Sequence, residues 1–441
     1  MARSSRSSAE ENYVLVEIKQ EQLVLTIKEK MESTSTSQSI CRVREMLPQE
    51  RSSQYSPKVV SIGPLCHDEQ CGLEDAEKHK WLYLNSLLTR KPNLEESLEK
   101  CVEALRELEV KVRNCYGGQI HLTADELVKM MLVDGCFIIE LLFKSNVKSL
   151  RRRDDYFFGS KERFAQLRRD LILLDNQIPF FVLERLFGLV QVPKQCTTSL
   201  PDMVLTFFKR MVPPEVQTFQ GRLGQEFKHI LDLIHHCFLP SIQEPECQEE
   251  TSTNKEDTTK SATTLKRDGI QFTKVTAESL LDIKFSSSRG VLQIPPLKFH
   301  DFTEFVLTNL IALELCCSDR PKHVASYVSL MGMLIQNDQD VRLLYRASIL
   351  TNGLEKREEV KSLFKNVQVK LENIDFFYRG LWKQVCGYKR PNWVKSWLRM
   401  NRLERDRMGV VGFSLAILFL VLVFIGTLFS VLSFTLHHRK S

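Results

Sequence analysis

The chain has 441 residues, 43% hydrophobic and 26% charged, a globular balance that excludes a wholly disordered protein. Its net charge of +6 is mild for this length and partly flanks one apolar run, which excludes the markedly basic domain of a nucleic-acid binder. Its 12 cysteines are irregularly spaced and many sit in apolar helical patterns, as reduced thiols do, which excludes a disulfide framework.

Residues 1–12 are polar and read as disordered, and they lack the apolar h-region of a signal peptide. In 13–31, Val14, Val16 and Ile18 alternate like a strand, while Val16, Leu23, Ile27 and Met31 keep helical spacing; helix is favoured. A Ser/Thr spacer at 33–39 closes this partly disordered N-terminal extension, 1–39. From 40 to 400 a mostly helical domain is expected, opening with an extended connection at 54–65. Cys66-His67 with Cys71 offers metal-ligating residue types, and His235-His236-Cys237 could be proposed to complete a set. A zinc site needs four ligands, usually in paired close spacings, and no second pair lies nearby in sequence, so no metal is expected.

Helical patterns then follow at 74–89 and 94–115. Thr123 opens the next as an N-cap, with Glu126 completing a capping box, and it runs to about Lys144. Further helices are expected at 161–174, 179–190, 201–211 and 218–239. Residues 240–264 are acidic, Ser/Thr-rich and without large apolar residues, which predicts a disordered loop whose hydroxyls could accept phosphate. Short strands at 270–275, 281–285 and 291–294 predict a small antiparallel β element. Helices resume at 302–317, 323–336, 339–345, 357–366, 375–385 and 393–405.

Residues 408–436 form an uncharged, mostly apolar run bounded by Arg407 and by His437-His438-Arg439-Lys440. About 20 apolar residues cross the hydrocarbon core as a helix, so this run predicts a single transmembrane helix with a short tail, 437–441. Lys389, Arg390, Lys395, Arg399, Arg402, Arg405 and Arg407 precede it, and only Arg439 and Lys440 follow, a bias that places the large N-terminal part in the cytosol of a plasma membrane or endomembrane. The sequence has no Asn-x-Ser/Thr glycosylation acceptor, in agreement. Arg399, Arg402, Arg405, Arg407, Arg439 and Lys440 form the basic membrane interface, with Trp393 and Trp397 as an aromatic belt. Gly412, Ala416, Gly426 and Ser430 fall near one helical face, where small residues let two such helices approach and self-associate; glycine is also common in such helices without that role.

The chain carries no Gly-rich phosphate cradle, His-Glu-x-x-His, Gly-x-Ser-x-Gly or kinase catalytic-loop pattern, so no catalytic residue, cofactor or enzymatic activity is expected. Lys148, Arg151, Arg152 and Arg153, with Lys161, Arg163, Arg168 and Arg169 beyond, form a basic stretch. Its plain reading is a solvated loop and helix face; the functional one is contact with anionic lipid head groups. Asn176-Gln177 before Ile178-Pro179 places two amides at a helix start, where they can cap free N–H groups, and Asn309 and Glu314 stand inside an apolar helix.

Several runs are more specific than generic helix: Tyr55-Ser-Pro-Lys-Val-Val-Ser-Ile-Gly-Pro64, Asp134-Gly-Cys-Phe-Ile-Ile-Glu-Leu-Leu142 and Asp170-Leu-Ile-Leu-Leu-Asp-Asn-Gln-Ile-Pro-Phe-Phe-Val-Leu-Glu184. Gly290-Val-Leu-Gln-Ile-Pro295, Asn309-Leu-Ile-Ala-Leu-Glu314 and the stretch from Ser326 to Val341 follow. In this order they resemble the plant-specific "domain of unknown function 247" family, over about residues 23 to 436. Leu65-Cys66, Ala76, Arg44, Asp175 and Leu315 depart from the family's common residues. Pro64, Asp134, Asn176, Gln177, Pro179 and Asn309 are the motif positions read as structural. The resemblance implies an uncharacterised single-span membrane protein with no established enzymatic activity, and some grass members look like determinants of pollen–stigma self-incompatibility. A membrane-tethered, non-enzymatic interaction module with an unknown protein partner is therefore expected. The rivals are a membrane-surface enzyme and an outward-facing self-recognition determinant.

Overall fold

A computed structural model describes residues 39–41, 56–69, 73–213, 226–240, 260–317, 320–351, 357–368, 375–389 and 402–438. Two compact units share the chain, Met1–Tyr388 and Lys389–Ser441. The first begins with α1 (Glu74–Leu88), α2 (Leu94–Asn114), α3 (Ala124–Asn146), α4 (Lys161–Asp170), α5 (Phe180–Leu189), α6 (Leu200–Phe208), α7 (Ile230–His236) and α8 (Ala262–Arg267). Strands β1 (Gln271–Lys274), β2 (Lys284–Ser286), β3 (Val291–Ile294) and β4 (Leu297–Lys298) follow. Then come α9 (Thr303–Cys316), α10 (His323–Leu334), α11 (Asp338–Arg346), β5 (Leu350–Thr351), α12 (Arg357–Gln368) and α13 (Arg379–Gly387). The second unit contains α14 (Arg402–His438). The fold is mainly α with a small sheet, as the sequence predicts.

Helix α3 organises the first half. Its start is the predicted capping box: the Glu126 N–H donates to Thr123 Oγ1 at 3.3 Å, and the Thr123 N–H donates to Glu126 Oε2 at 2.8 Å. From Met131 to Lys144 every residue is buried. A helix apolar all round must be enclosed on all sides, and α1, α2, α5 and α6 enclose it. Gly135 permits this: a Cβ there would stand 2.5 Å from Leu186 Cδ1 on α5. Phe137, fully buried, packs its ring 5.3 Å from Tyr83 and 5.1 Å from Phe157. In the second half α10 packs between α9 and α12, and α7 touches both α6 and α9.

Several predicted boundaries move. The sheet is mixed rather than antiparallel throughout: β2 pairs antiparallel with the central β3, but β1 pairs parallel, Gln271 opposite Val291. Residues 281–283, expected to open a strand, form a turn instead, with Leu281 and Ile283 buried, so β2 starts only at Lys284. The two-residue pair β4–β5, also parallel, was not predicted, being too short to alternate. Helix α4 stops at Asp170 rather than 174, because the Asp170, Leu171 and Leu173 carbonyls accept from the Asn176 and Gln177 side chains. Residues 260–264, expected to belong to the disordered loop, are instead part of the folded unit: Ser261 caps α8, and the Thr263 N–H donates to buried Asp340. Residues 241–259, the ambiguous 13–31 and the helix expected at 393–401 lie outside the described residues. None of the ten described cysteines forms a disulfide.

Helix α14 contains a 20-residue stretch, Val411–Ser430, long and apolar enough to cross a membrane, and its side chains are exposed. Truncating Phe137 to alanine would open a cavity at the centre of the first half. The full chain is expected to lose about 3–5 kcal/mol in a denaturant titration followed by near-ultraviolet circular dichroism. A loss under about 1 kcal/mol would show that α3 is not the organising helix.

Candidate functional site

The segment 58–63 lies in no helix or strand, so its main-chain N–H groups need other acceptors. Three side chains from two of the motifs supply them. Asp170, at the C-terminus of α4, accepts at Oδ2 from the N–H groups of Lys58, Val59 and Val60 at 3.0, 2.6 and 3.0 Å, and its Oδ1 accepts from Gln166. Burial raises the Asp170 carboxyl above the ordinary carboxylate range, opposed by these donated hydrogen bonds. Asn176 Oδ1 accepts from the Ile62 N–H at 2.6 Å, while its Nδ2 donates back to the Val60 carbonyl. Asp134, inside α3, accepts from the Gly63 N–H at 2.8 Å. Gly63 itself has φ +72°, and a Cβ there would lie 2.6 Å from the Gln177 carbonyl, so only glycine fits this turn.

Lys80 completes the assembly. Its buried ammonium donates to Asp134 Oδ1 at 2.7 Å and to the Ser61 carbonyl, and pairs with Glu77 at 2.7 Å. Burial pulls its pKa down, but Asp134 and Glu77 outweigh that and raise it, so Lys80 stays charged. Two other buried charges of α3 are also answered from outside the helix. Glu140 meets Arg90 at 2.6 Å, and Lys144 meets Asp155 at 2.8 Å, with Tyr83 donating to the same carboxylate at 2.7 Å.

A second network surrounds α7. Gln177 Oε1 accepts from the Leu231 N–H in its first turn at 3.2 Å, which ties this helix to the first network. His229, fully buried at the N-cap, accepts the Asp232 N–H at Nδ1, so Nε2 carries the proton given to the Ser39 carbonyl at 3.1 Å. Asp232 accepts from the Lys228 N–H at 2.7 Å and from Arg320 at 2.5 Å. His235 Nε2 lies 2.8 Å from Glu314 Oε1, and Glu314 accepts the Val324 and Ala325 N–H groups, both at 2.9 Å, at the start of α10. Burial holds His229 down at about 4, well below an ordinary histidine. Burial alone would raise Asp232, but His229 when protonated, and Arg320 at every pH, bring it to about 2.

Ligand atoms of Asp232, His235 and His236 lie within 4.8 Å of one another. The Asp232 carboxylate is already bonded to a guanidinium, however, and His235 to Glu314, so the donor set has the chemistry of an ion-pair network rather than a metal centre. The predicted Cys66 donates its thiol to the Asp175 carbonyl at 3.4 Å, and Cys71 lies outside the described residues.

Comparison with known proteins meets these motifs directly. The family profile of DUF247, plant protein of unknown function, matches residues 40–423. The chain belongs to this family. Two similar proteins come from Arabidopsis thaliana. The UPF0481 protein At3g47200 is 28% identical over 408 residues, covering 87% of this chain and 84% of the relative. The UPF0481 protein At3g02645 is 22% identical over 453 residues, covering 79% and 84%. No solved structure matches.

The structure brings together Asp134, Asn176 and Gln177 of the DUF247 motifs, with Pro64 opening a 3-10 turn, Pro64–Glu69, beside them. Asn176 and Gln177 do not cap α5, whose N-cap is Pro179 and receives no side-chain bond; their amides face back into the α4 carbonyls instead. Asn309 is buried and accepts the Leu174 N–H at 3.3 Å. Gly412, Ala416, Gly426 and Ser430 lie exposed on α14, which also holds Arg402, Arg405 and Arg407. Arg399, Arg439 and Lys440 lie outside the described residues. Sequence reasoning missed Lys80, although its neighbours Ala76, Tyr83, Leu84 and Leu87 share its buried helical face, a signal that a charge stood on the core side. It also missed His229, Asp232 and Arg320, which follow no local pattern.

The His229 and Asp232 environments make stability pH-dependent. The ordinary histidine pKa is near 6.5 and the folded one about 4, so the unfolded chain takes the proton first as pH falls. Stability is expected to fall by on the order of 3 kcal/mol between pH 6.5 and 4. Asp232, ordinarily 3.8 and about 2 when folded, adds a further loss below pH 4. Thermal unfolding of the full chain across this range should show the slope, and His229→Gln should flatten its upper part. An unchanged slope in that variant would rule out His229 as the source.

Proposed function

We propose that this DUF247 protein is a membrane-tethered, non-enzymatic interaction module: α14 spans a bilayer, and residues 1–388 present a binding surface to a protein partner in the cytosol. The exposed apolar stretch Val411–Ser430 carries the tethering reading, since an uncovered apolar helix of this length is stable in water only if something covers it. The basic bias on its N-terminal side supports the cytosolic orientation. The engagement of Asp134, Asp170, Asp232 and Glu314 with main-chain donors supports holding a shape over performing turnover. Self-association through Gly412, Ala416, Gly426 and Ser430 is part of the same reading.

Two experiments test it. Leu420→Arg with Phe424→Arg places two charges near the middle of the stretch, each costing about 2.5–3.5 kcal/mol in a bilayer. The parent chain should resist alkaline extraction from membranes and the double variant should be released; equal resistance would sink the tether. Separately, a biotin ligase fused ahead of Met1 in the full chain should label cytosolic proteins and enrich neighbours not labelled by a ligase joined to 402–441 alone. Labelling of lumenal or exterior proteins would overturn the cytosolic orientation and favour an outward-facing recognition role. Identical neighbours for both fusions would overturn the interaction role.

A further inference from the structure

Cations of the first unit differ in what answers their charge. Arg90, Arg106, Lys144, Arg185 and Arg320 each meet a carboxylate. Arg151, Arg152, Arg153, Arg168, Lys209 and Arg210 form no ion pair among the described residues. What holds them is different. Arg151 donates to the Lys144 and Ser145 carbonyls at the end of α3, at 2.6 and 2.8 Å, and lies 4.3 Å from the Phe158 ring centre. Arg168 lies over Phe164 at 4.4 Å and Phe207 at 5.2 Å, and its buried Nε has no hydrogen-bond partner. Phe158 touches Phe164 at 4.8 Å and Phe164 touches Phe207 at 5.5 Å, so one run of rings joins the Arg151 loop to the end of α6. There Lys209 and Arg210 stand exposed, as do Arg152 and Arg153 at the other end. Aromatic faces and carbonyls orient a guanidinium without cancelling its charge. Burial first, and then the neighbouring Arg210, lower the Arg168 pKa to about 10. The exposed Asp154 and Glu162 form no ion pair with any of them.

We propose that this arginine–aromatic face docks on the anionic head groups of the bilayer in which the chain's own helix sits. The inference rests on the tethered, cytosolic reading above. It adds which surface of residues 1–388 the membrane takes. Residues 389–401 join Tyr388 to Arg402, a covalent reach of at most ~47 Å, which keeps the bilayer at high effective concentration for this face. Cytosolic leaflets carry negative surface potential, and each near-surface Lys or Arg strengthens binding about fivefold.

The test uses the full chain reconstituted in nanodiscs of phosphatidylcholine alone or with phosphatidylserine, read by amide hydrogen exchange. Segments 148–169 and 200–210 should gain protection in the anionic discs, and raised ionic strength should remove it. The exposed-site variant Arg152→Gln/Arg153→Gln/Arg210→Gln should weaken docking by about 100-fold, and the matching Arg→Lys variant should keep it. Protection within 124–146 should not change, which guards against unfolding. Equal exchange in both lipids, or protection indifferent to salt and to the Gln variant, would overturn the proposal. So would protection that appears only when RNA or an acidic peptide is added to neutral discs. Resistance to alkaline extraction reports on the tether alone, so failure here leaves that reading standing.

Discussion

The first unit depends on buried side chains that act as acceptors for main-chain N–H groups far away in sequence. Segment 58–63 has no ladder of its own, and Asp170, Asn176 and Asp134 take five of its N–H groups. A buried N–H without a partner costs about 1–3 kcal/mol, so these three side chains decide whether the segment can be inside at all. Glu314 does the same for the start of α10, and Asp340 for the N–H groups of Gln336, Asn337 and Thr263. Charge placed in a core is usually a liability. Here each carboxylate is surrounded by donors, and Lys80, Arg90, Arg320 and Lys144 balance those that need a counter-charge.

This construction explains why the family's motifs are polar residues inside apolar runs. Asp134 stands within the apolar stretch Met130–Ile139 of α3, and Asn309 within that of α9. Replacing either by leucine would leave the local helix pattern intact but orphan the Gly63 or Leu174 N–H. The motifs therefore specify which distant segment lands where, more than they specify the helices that carry them. Gln177 shows the economy of the scheme, since one amide serves the end of α4 and the start of α7 together.

The same accounting separates the inner charges from the outer ones. Charges in the core are paired or bonded to the main chain, and they hold shape. The arginines around Phe158, Phe164 and Phe207 are positioned by rings and carbonyls and meet no carboxylate in an ion pair among the described residues.

By itself the sequence determined what depends on near neighbours along the chain. The capping box at Thr123, most of the helices to within a few residues and the apolar C-terminal helix rest on spacing within a few turns, and the family rests on the order of short motifs along the chain. Only the tertiary structure decided what depends on partners far apart. The parallel pairing of β1 with β3 and the burial of Lys80 each need a residue more than ten positions away to be explained. Asn176 and Gln177 mark the boundary. Their place before Pro179 was plain in the sequence, but an amide has both donors and an acceptor, and which backbone groups it serves is settled only when the chain brings Val60, Ile62 and Leu231 beside it.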